Sequence, residues 1–444
     1  MIKWLDERLQ VTALMDSLFA HPVPKRSSFL DYLGFATLFA VINQAVTGIL
    51  LATVYEPSAT SAYSSILAIQ KSPIEHFVRS LHSWGANFMV VLVVLHLLRV
   101  FYAGAYKRPR ELTWVMGAVL LIGTLGLAFS GYLLPWDQEG YWATTVGSAM
   151  AGYVPVVGDY LLQVLRNGTQ VTGTTLTRFY SLHMLTLPIL IILAFIPHFF
   201  FVLRQGMAST DELAEAKKRG EDVEAVSIPF WPNVAFRMIT FMFIVGVALW
   251  VTAYLYPKGL GAPADPLNKA GYTPEPAWYF FGVYQLLKYF PGKLDVLAMV
   301  GLPVLGIGGL FALPWLDRNP NTKARKRPVA MSVAAVLVVG MVFLTYKGMS
   351  SVPKTLAATG VVEHPSYKKD VQPILQNSCI QCHDSIASYP GTLAKVTPSN
   401  PASSLIYQHL TGSVPPQMPL GKDPLKKDQI QTIKNWIQDG AHNN

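Results

Sequence analysis

The stretch RSLHSWGANFMVVLVVLHLLRV, residues 79–100, decides the fold class of this chain. It is apolar enough to cross a membrane as a helix, yet it contains His82 and His96. At 100° per residue, their 14-residue interval brings His96 within about 40° of the face of His82 and about 21 Å further along. Because a histidine inside a bilayer is energetically expensive, both residues are candidates for function.

A second apolar run, residues 180–203, contains His183 and His198, which are 15 residues apart. This interval returns to within about 60° of the starting face after about 22 Å. Two such helices that face each other offer one histidine pair near each membrane face. This pattern predicts two haems, one above the other, each with two histidine ligands. A hydrogen bond to a neighbouring helix is the alternative for any single histidine, but four with matched spacing favour haem ligation.

Glycines on two other apolar runs support this interpretation. They repeat the 14-residue interval as Gly34 with Gly48 and Gly117 with Gly131. A glycine lets a flat macrocycle approach the backbone closely, although ordinary helix packing is the alternative. Arg79 and Arg99 each lie three residues from a histidine, where their guanidinium groups could meet haem propionates.

Composition extends the prediction to the whole chain. Of 444 residues, 51% are hydrophobic and 14% are charged, which is typical of an all-α polytopic membrane protein. Seven apolar runs are long enough to span a bilayer: 29–54, 77–103, 114–135, 180–203, 234–256, 293–316 and 329–347. The net charge of +9 comes from basic residues in short loops, which argues against nucleic-acid binding.

The distribution of basic residues predicts the orientation. Lysines and arginines cluster after the second, fourth and sixth runs, whereas the long connection 136–177 contains only Arg166. The positive-inside rule therefore places the N-terminus in the cytoplasm. Seven crossings then carry the C-terminus to the other side of the membrane.

The hexapeptide SCIQCH, residues 378–383, is the attachment signature of a c-type haem. Cys379 and Cys382, the two cysteines of the chain, would form the thioethers, and His383 would supply one axial ligand. A zinc site or a redox thiol pair is the alternative, but the chain has no second cysteine pair and no βαβ context. Met418, in the loop PPQMPLG, is the expected second axial ligand, and His409 is its rival.

Three long motifs resemble cytochrome b of the quinol-oxidising bc and bf complexes. They are RSLHSWGANFMVVLVVLHLLRVFYAGAYKRPRELTWV, GYLLPWDQEGYWATTVG and TLTRFYSLHMLTLPILIILAFIPHFFFVLRQG. The spacing of His183 and His198 resembles the chloroplast-type variety. Residues 257–347, including WYFFGVYQLLKYFPGKL and RKRPVAMSV, are similar to the separate subunit IV of that complex.

The end of the chain resembles a small bacterial class I cytochrome c, which makes the chain look like a fusion. The resemblance implies four segments: a dihaem four-helix domain (1–206), a three-helix subunit IV-like domain (207–347), a linker (348–365) and a cytochrome c domain (366–444). The terminal stretch DQIQTIKNWIQDGA predicts a helix that presents Ile433, Trp436 and Ile437, with Ile430, on one face.

The resemblance implies a quinol:cytochrome c oxidoreductase of the bacterial cytoplasmic membrane. His82 and His183 would hold a low-potential b haem near the outer face, and His96 and His198 a high-potential b haem near the cytoplasm. Quinol oxidation would take place between the 136–177 and 257–292 loops. One electron would pass to a Rieske iron–sulfur protein and onward to the covalent c haem, and the other would cross the membrane through the b haems.

Partners follow from the same resemblance. The chain contains no Rieske cysteine–histidine boxes, so that protein must be a separate subunit. Further cytochrome c subunits or a soluble cytochrome c would accept the electrons, and the complex would be a homodimer. A dihaem membrane anchor that conducts electrons for a dehydrogenase or hydrogenase is the alternative function.

Two departures from the family pattern affect the site. The family motif PEWY appears as PEPAWY, so that Ala277 precedes Trp278 and Tyr279 where a proton-accepting glutamate is expected. We expect Glu275 to replace that glutamate, with Asp265 a less favoured substitute. The chloroplast-type enzyme also has a cysteine that tethers an extra haem where this chain has Tyr32, which predicts no second covalent haem.

Overall fold

The computed structural model describes residues 6, 22–25, 28–205, 216–265, 276–290, 292–351, 364–380, 383–419, 425 and 427–444. The chain forms two compact units. The first lies within residues 1–264 and 276–349, and the second within residues 265–275 and 350–444. Both units are helical, and the described strands are two three-residue segments.

The first unit begins with strand β1 and a long helix. Its elements up to the fourth apolar run are β1 (Pro22–Pro24), α1 (Leu33–Ala52), α2 (Ala62–Lys71), α3 (Pro73–Tyr102), α4 (Glu111–Tyr132), α5 (Gln138–Ala149), α6 (Gly158–Arg166), α7 (Gly173–Ser181) and α8 (Leu187–Gln205). A π-helical turn, Leu182–Thr186, joins α7 to α8, so that the two form one continuous span.

The remaining elements of the first unit are α9 (Val223–Val226), β2 (Ser227–Pro229), α10 (Ala235–Leu255), α11 (Phe281–Leu287), α12 (Leu302–Leu316) and α13 (Pro328–Ser351). Strands β1 and β2 pair antiparallel, with Val23 opposite Ile228. A π-helical turn precedes each of α10 and α12, at Phe230–Val234 and Leu297–Gly301. A 3₁₀ turn, Trp278–Phe280, leads into α11.

Seven helices of the described residues are long and apolar enough to span a membrane, which confirms the predicted number. Several of them begin earlier than the apolar pattern predicted, and the second and fourth show why. The second starts at Pro73 because Ser72 caps it and proline suits the first helical position. The fourth starts at Gly173, where Thr172 and Thr175 form a capping box. Caps are polar, so a search for apolar runs misses them.

The surfaces of these helices are apolar, as a bilayer requires. On α13, Val336 is 71% exposed and Val339 is 67% exposed, which in water would be a costly apolar face. Inside the bundle, α1 packs against α3, α4 packs against α8, and α10 packs against α3. The helices that carry the candidate histidines, α3 and the α7–α8 span, are thus each paired with a glycine-bearing helix.

In the described part of the second unit, four short α-helices surround one apolar core. They are α14 (Gln372–Ser378), α15 (Tyr389–Leu393), α16 (Leu405–Thr411) and α17 (Lys427–Gln438). Ile433, Trp436 and Ile437 of α17 are buried against Tyr367 and Leu375, and Ile430 packs at the edge of this core. The predicted apolar face of the terminal helix is therefore confirmed.

Candidate haem-binding and quinol sites

The structure brings His82 of α3 and His183 of the π-helical turn together. Their imidazole centroids are 6.1 Å apart, with the ring planes at 78°. A histidine nitrogen binds a metal at about 2.0–2.1 Å, so two imidazoles on opposite sides of one metal ion have centroids roughly 6 Å apart. The separation therefore fits one haem iron between the two rings. We call this part of the bundle the His82 end.

Hydrogen bonds fix the orientation of both rings at the His82 end. His183 Nδ1 donates to the backbone carbonyl of Leu127 at 3.0 Å, which leaves its Nε2 as the metal-binding nitrogen. Thr47 Oγ1 donates to the carbonyl of Asn43 at 2.6 Å, so it accepts the hydrogen bond from His82 Nδ1 at 2.9 Å. Such second-layer partners set the tautomer of a ligating histidine.

His96 and His198 meet at the opposite end of the same helices, which we call the His96 end. Both line one cavity, together with Gly34 of α1 and Gly117 of α4. His198 Nδ1 donates to the carbonyl of Thr113 at 2.9 Å, which again leaves Nε2 to bind a metal. The structure thus forms the two expected histidine pairs from residues that are about 100 positions apart.

The four predicted glycines lie against the histidine rings themselves. An added Cβ would lie 3.1 Å from His96 Cε1 at Gly34, 3.2 Å from His82 Cε1 at Gly48, 3.3 Å from His198 Cε1 at Gly117 and 2.6 Å from His183 Cε1 at Gly131. Each glycine therefore makes room for an imidazole as well as for a macrocycle. The sequence spacing pointed to these glycines but not to this contact.

The two arginines that were expected near haem propionates differ in their surroundings. Arg99 forms an ion pair with Asp31, and both line the cavity at the His96 end. Arg79 is buried and donates to the carbonyl oxygens of Lys258 at 2.7 Å and Gly259 at 2.9 Å. In this structure, Arg79 therefore joins α3 to the segment that follows α10.

Two loops meet at the His82 end. Gln138 N donates to the carbonyl of Ala262 at 2.8 Å, and Ala264 N donates to the carbonyl of Trp136 at 3.1 Å. Between them, the Asp137 carboxylate accepts from Gly140 N at 2.9 Å, and burial raises the pKa of this carboxyl. The start of α5 is therefore fixed beside residues 261–264. Sequence reasoning missed Asp137, although an aspartate at a helix N-cap is a recognisable signal.

Trp278 and Tyr279, two predicted quinol-site residues, lie in the 3₁₀ turn before α11. Trp278 Nε1 donates to Asn87 Oδ1 of α3 at 2.7 Å, which anchors the turn to the histidine-bearing helix. Burial raises the pKa of Tyr279 to about 12, so its hydroxyl stays protonated and able to donate a hydrogen bond. Glu275 lies outside the described residues, and Asp265 is assigned to the second unit.

In the second unit, Cys379 packs against the edge of the apolar core and His383 is exposed. The Met418 loop is tied to α16, because Met418 N donates to the carbonyl of His409 at 2.9 Å. His409 Nδ1 donates to the carbonyl of Pro416 at 3.0 Å. Cys382 lies outside the described residues. Tyr32, in the first unit, is buried in a cluster with Val23 and Phe230.

Family models match two parts of the chain. The model described as "Cytochrome b/b6/petB" matches residues 18–206, and "Cytochrome b(C-terminal)/b6/petD" matches residues 263–367. A "Cytochrome bc complex cytochrome b subunit" from Chlorobaculum thiosulfatiphilum is 35% identical over 78% of this chain and 79% of that relative. The chain belongs to the cytochrome b family.

Other cytochrome b relatives cover the chain in part. "Cytochrome b6" from Heliobacterium mobile is 42% identical over 47% of this chain and 99% of the relative. Among solved structures, "Hyperthermophilic respiratory Complex III" matches with a TM-score of 0.71 and 27% identity, over 79% of this chain and 91% of that chain. The expectation of a membrane-embedded, haem-binding cytochrome b of electron transport is therefore confirmed.

Proposed function

We propose that this cytochrome b is the core subunit of a quinol:cytochrome c oxidoreductase. The observation that carries the proposal is the 6.1 Å separation of the His82 and His183 rings, with Nδ1 of each ring held by an oxygen atom. This geometry supports a b haem with two histidine ligands at the His82 end. The second b haem would bind to His96 and His198. Haem supplies one-electron transfer, so the two sites form a path for electrons across the membrane.

The residues around Trp278 support a quinol site at the His82 end. The hydrogen bond to Asn87 holds the turn against α3, and the rings of Trp278 and Tyr279 pack edge to face with their centroids 5.4 Å apart. The Tyr279 hydroxyl, which remains protonated at physiological pH, can donate a hydrogen bond to a quinone oxygen. We propose that Trp278 and Tyr279 orient quinol, whereas Glu275 stays a prediction as a proton acceptor.

We also propose that the second unit binds a c haem. Cys379 and Cys382 would hold it through thioethers, with His383 and Met418 as axial ligands. The contact between the Met418 loop and α16 supports a fixed loop beside that haem. Met418→Ala should lower the reduction potential of the c haem and weaken the thioether-to-iron absorption band. If His409→Ala changed the spectrum instead, His409 would be the ligand.

The proposed segments are the four inferred from the sequence: 1–206, 207–347, 348–365 and 366–444. The N-terminus would lie in the cytoplasm and the cytochrome c segment on the outer side of a bacterial cytoplasmic membrane. A Rieske iron–sulfur protein would receive one electron of each quinol. A soluble or membrane-bound cytochrome c would accept electrons from the c haem, and the complex would be a homodimer.

Purification of the intact complex, followed by optical redox titration, tests this function. We expect two b haems and one c haem per chain, of which only the b haems are removed by denaturing extraction. Quinol-dependent cytochrome c reduction should stop when a compound blocks the quinol site at the His82 end. If reduction of the b haems required a copurified dehydrogenase and was not inhibited by such a compound, the chain would be a dihaem membrane anchor.

A further inference from the structure

Glu139, in the connection between α4 and α7, forms a hydrogen bond beside the His82 end. Glu139, in the first turn of α5, accepts from the hydroxyl of Tyr132, the last residue of α4. Tyr132 directly follows Gly131, whose Cα faces the His183 ring. The carboxylate is therefore held close to the end of the helix that packs on a proposed haem ligand.

The same surface of α4 contacts the Trp278–Phe280 turn. Phe129, three residues before Tyr132 and within about 60° of it on the helix, has its ring centroid 6.5 Å from that of Phe280. Helix α5 packs onto this phenylalanine, because a Cβ at Gly147 would lie 2.5 Å from Phe129 Cε2. Tyr132, α5 and the residues beside Tyr279 therefore border one region of the fold.

Glu139 and its neighbour Asp137 lie in different surroundings. The first turn of a helix stabilises negative charge, because backbone N–H groups point towards it. Asp137, the nearest acidic group, is buried and holds the amides of Gly140 and Gly261. Glu139 is only partly buried, and a tyrosine hydroxyl is its partner. Of the two carboxylates, Glu139 is the one that can exchange a proton without breaking the loop contacts.

We propose that Glu139 is the proton acceptor for quinol at the His82 end and that Tyr132 is its positioning residue. This inference rests on the proposed quinol oxidation. A quinol O–H bond breaks, and its proton forms an O–H bond with the Glu139 carboxylate. The iron–sulfur protein would accept the first electron together with the second proton, and the b haem at this end would accept the other electron. Glu139 then releases its proton to water.

The charged and titratable groups around Glu139 come from three parts of the fold. Tyr132 faces it from α4 and Asp137 from the N-cap of α5, and Asp137 in turn interacts with Lys258 from the segment after α10. The Tyr132 hydroxyl stabilises the ionised carboxylate by donating to it. Without that hydroxyl, the Glu139 carboxylate loses this hydrogen-bond donor.

The test compares glutamine substitutions in the intact complex. Glu139→Gln should slow inhibitor-sensitive quinol oxidation at least about 100-fold, the lower end of the range for general base catalysis, and leave the b and c haem spectra unchanged. Glu75→Gln is the matched control, because Glu75 also lies in the first turn of a helix at the His82 end, that of α3. The rate of this control should stay within about twofold of wild type.

The pH profile identifies the role of Tyr132. Tyr132→Phe should shift the acidic limb of the rate profile towards higher pH and leave the maximum rate within a few fold of wild type, whereas Glu139→Gln should flatten this limb. If Glu139→Gln lowered the haem content, the pH profiles of Glu139→Asp and Tyr132→Phe would test the proposal in its place. If the acidic limb of the rate profile stayed unshifted in both variants, the proposal would be overturned.

Other outcomes distinguish this inference from the proposed function. If Glu139→Gln left the rate unchanged and Glu275→Gln slowed it, the proton acceptor would be Glu275 and only the present inference would fail. If the wild-type complex showed no inhibitor-sensitive quinol oxidation, the proposed function itself would fail.

Discussion

The two ends of the helical bundle are joined in different ways. At the His96 end, Asp317 forms ion pairs with Lys107 at 2.8 Å and with Arg327 at 3.7 Å, and these connect the end of α3 to the loop between α12 and α13. At the His82 end, backbone hydrogen bonds connect residues 136–138 to 262–264. At the His96 end Asp317 is therefore committed to ion pairs, whereas at the His82 end Arg79 donates to backbone carbonyl oxygens and Glu139 accepts from a tyrosine hydroxyl.

This difference agrees with the proposed oxidation of quinol at the His82 end. A site that oxidises quinol must accept protons, and a carboxylate that is committed to a buried ion pair cannot do so without losing stability. Two of the basic residues on which the predicted orientation rests, Lys107 and Arg327, form ion pairs at the His96 end. We therefore expect substitutions at the two ends to have separate effects, which the following predictions test from the largest effect to the smallest.

Loss of a histidine should remove one proposed b haem and leave the other. His183→Leu should abolish the low-potential component and His198→Leu the high-potential component, because each pair is built from its own histidines and glycines. Leucine preserves apolar volume in the bundle. Pyridine haemochrome analysis with redox titration should find one b haem per chain in each variant. Simultaneous loss of both components would contradict the independence of the two ends.

Sequence patterns predicted the histidine pairs better than they predicted the contacts around them. Helical periodicity fixes which residues share a face, so His82 and His96 could be assigned from their spacing alone. The contacts that connect helices to loops depend on residues that are far apart in the sequence, such as Arg79 and Lys258. Arg327, one of the basic residues that cluster after the sixth apolar run, has a fully buried side chain that donates to the Tyr106 hydroxyl. Local patterns carry no information on such pairings.

The ion-pair network at the His96 end should depend on pH and on Asp317. Burial alone would raise the pKa of the Asp317 carboxyl, but hydrogen bonds from Lys107 and Tyr106 outweigh it and hold the pKa below its ordinary value of 3.8. Because the folded-state pKa is lowered, the carboxylate stabilises the fold above pH 3.8, and this contribution is lost as the pH falls through the folded-state value.

We expect Asp317→Asn to destabilise the protein by about 3 kcal/mol at neutral pH, because Arg327 then lies buried without a countercharge. Thermal unfolding in detergent, followed by b haem absorbance, measures this loss. Glu221→Gln is the control, since its pair with Arg219 is half exposed and should contribute nothing measurable. An equal effect of both substitutions would show that burial of the network does not stabilise the His96 end.

Alanine substitutions at the glycines should affect the two ends unequally. A Cβ at Gly131 would lie 2.6 Å from His183 Cε1, too close for the ring to stay in place, whereas at Gly117 the distance to His198 Cε1 is 3.3 Å. We expect Gly131→Ala to strain the His82 end by about 1–3 kcal/mol and to tilt the imidazole. Electron paramagnetic resonance of the two low-spin haems should show a shifted low-potential signal in Gly131→Ala. Gly117→Ala should resemble wild type, and the reverse pattern would contradict the difference in packing.

The smallest expected effect concerns the hydrogen-bond acceptors of two proposed haem ligands. One acceptor is a side-chain hydroxyl and the other is a backbone carbonyl. His82 Nδ1 donates to the Thr47 hydroxyl, whereas His198 Nδ1 donates to the backbone carbonyl of Thr113. Thr47→Val keeps the shape of the side chain but removes the acceptor. A ligating imidazole that donates from Nδ1 is a stronger electron donor to iron, which stabilises the oxidised haem. Its loss should raise the potential of the low-potential haem by tens of millivolts, since about 59 mV corresponds to a tenfold change for one electron.

Thr113→Val is the matched control for that substitution. It removes the hydroxyl that donates to Gln205 Oε1 at 2.8 Å but leaves the carbonyl that accepts from His198. The potential of the high-potential haem should therefore stay unchanged, while redox titration of Thr47→Val shows only the low-potential component displaced. If both variants shifted their haems equally, general polarity near the ring would set the potential and the two hydrogen bonds would not. If neither shifted, the Nδ1 partners would orient the rings at both ends without tuning the iron, and the two ends would differ only in how their loops are joined.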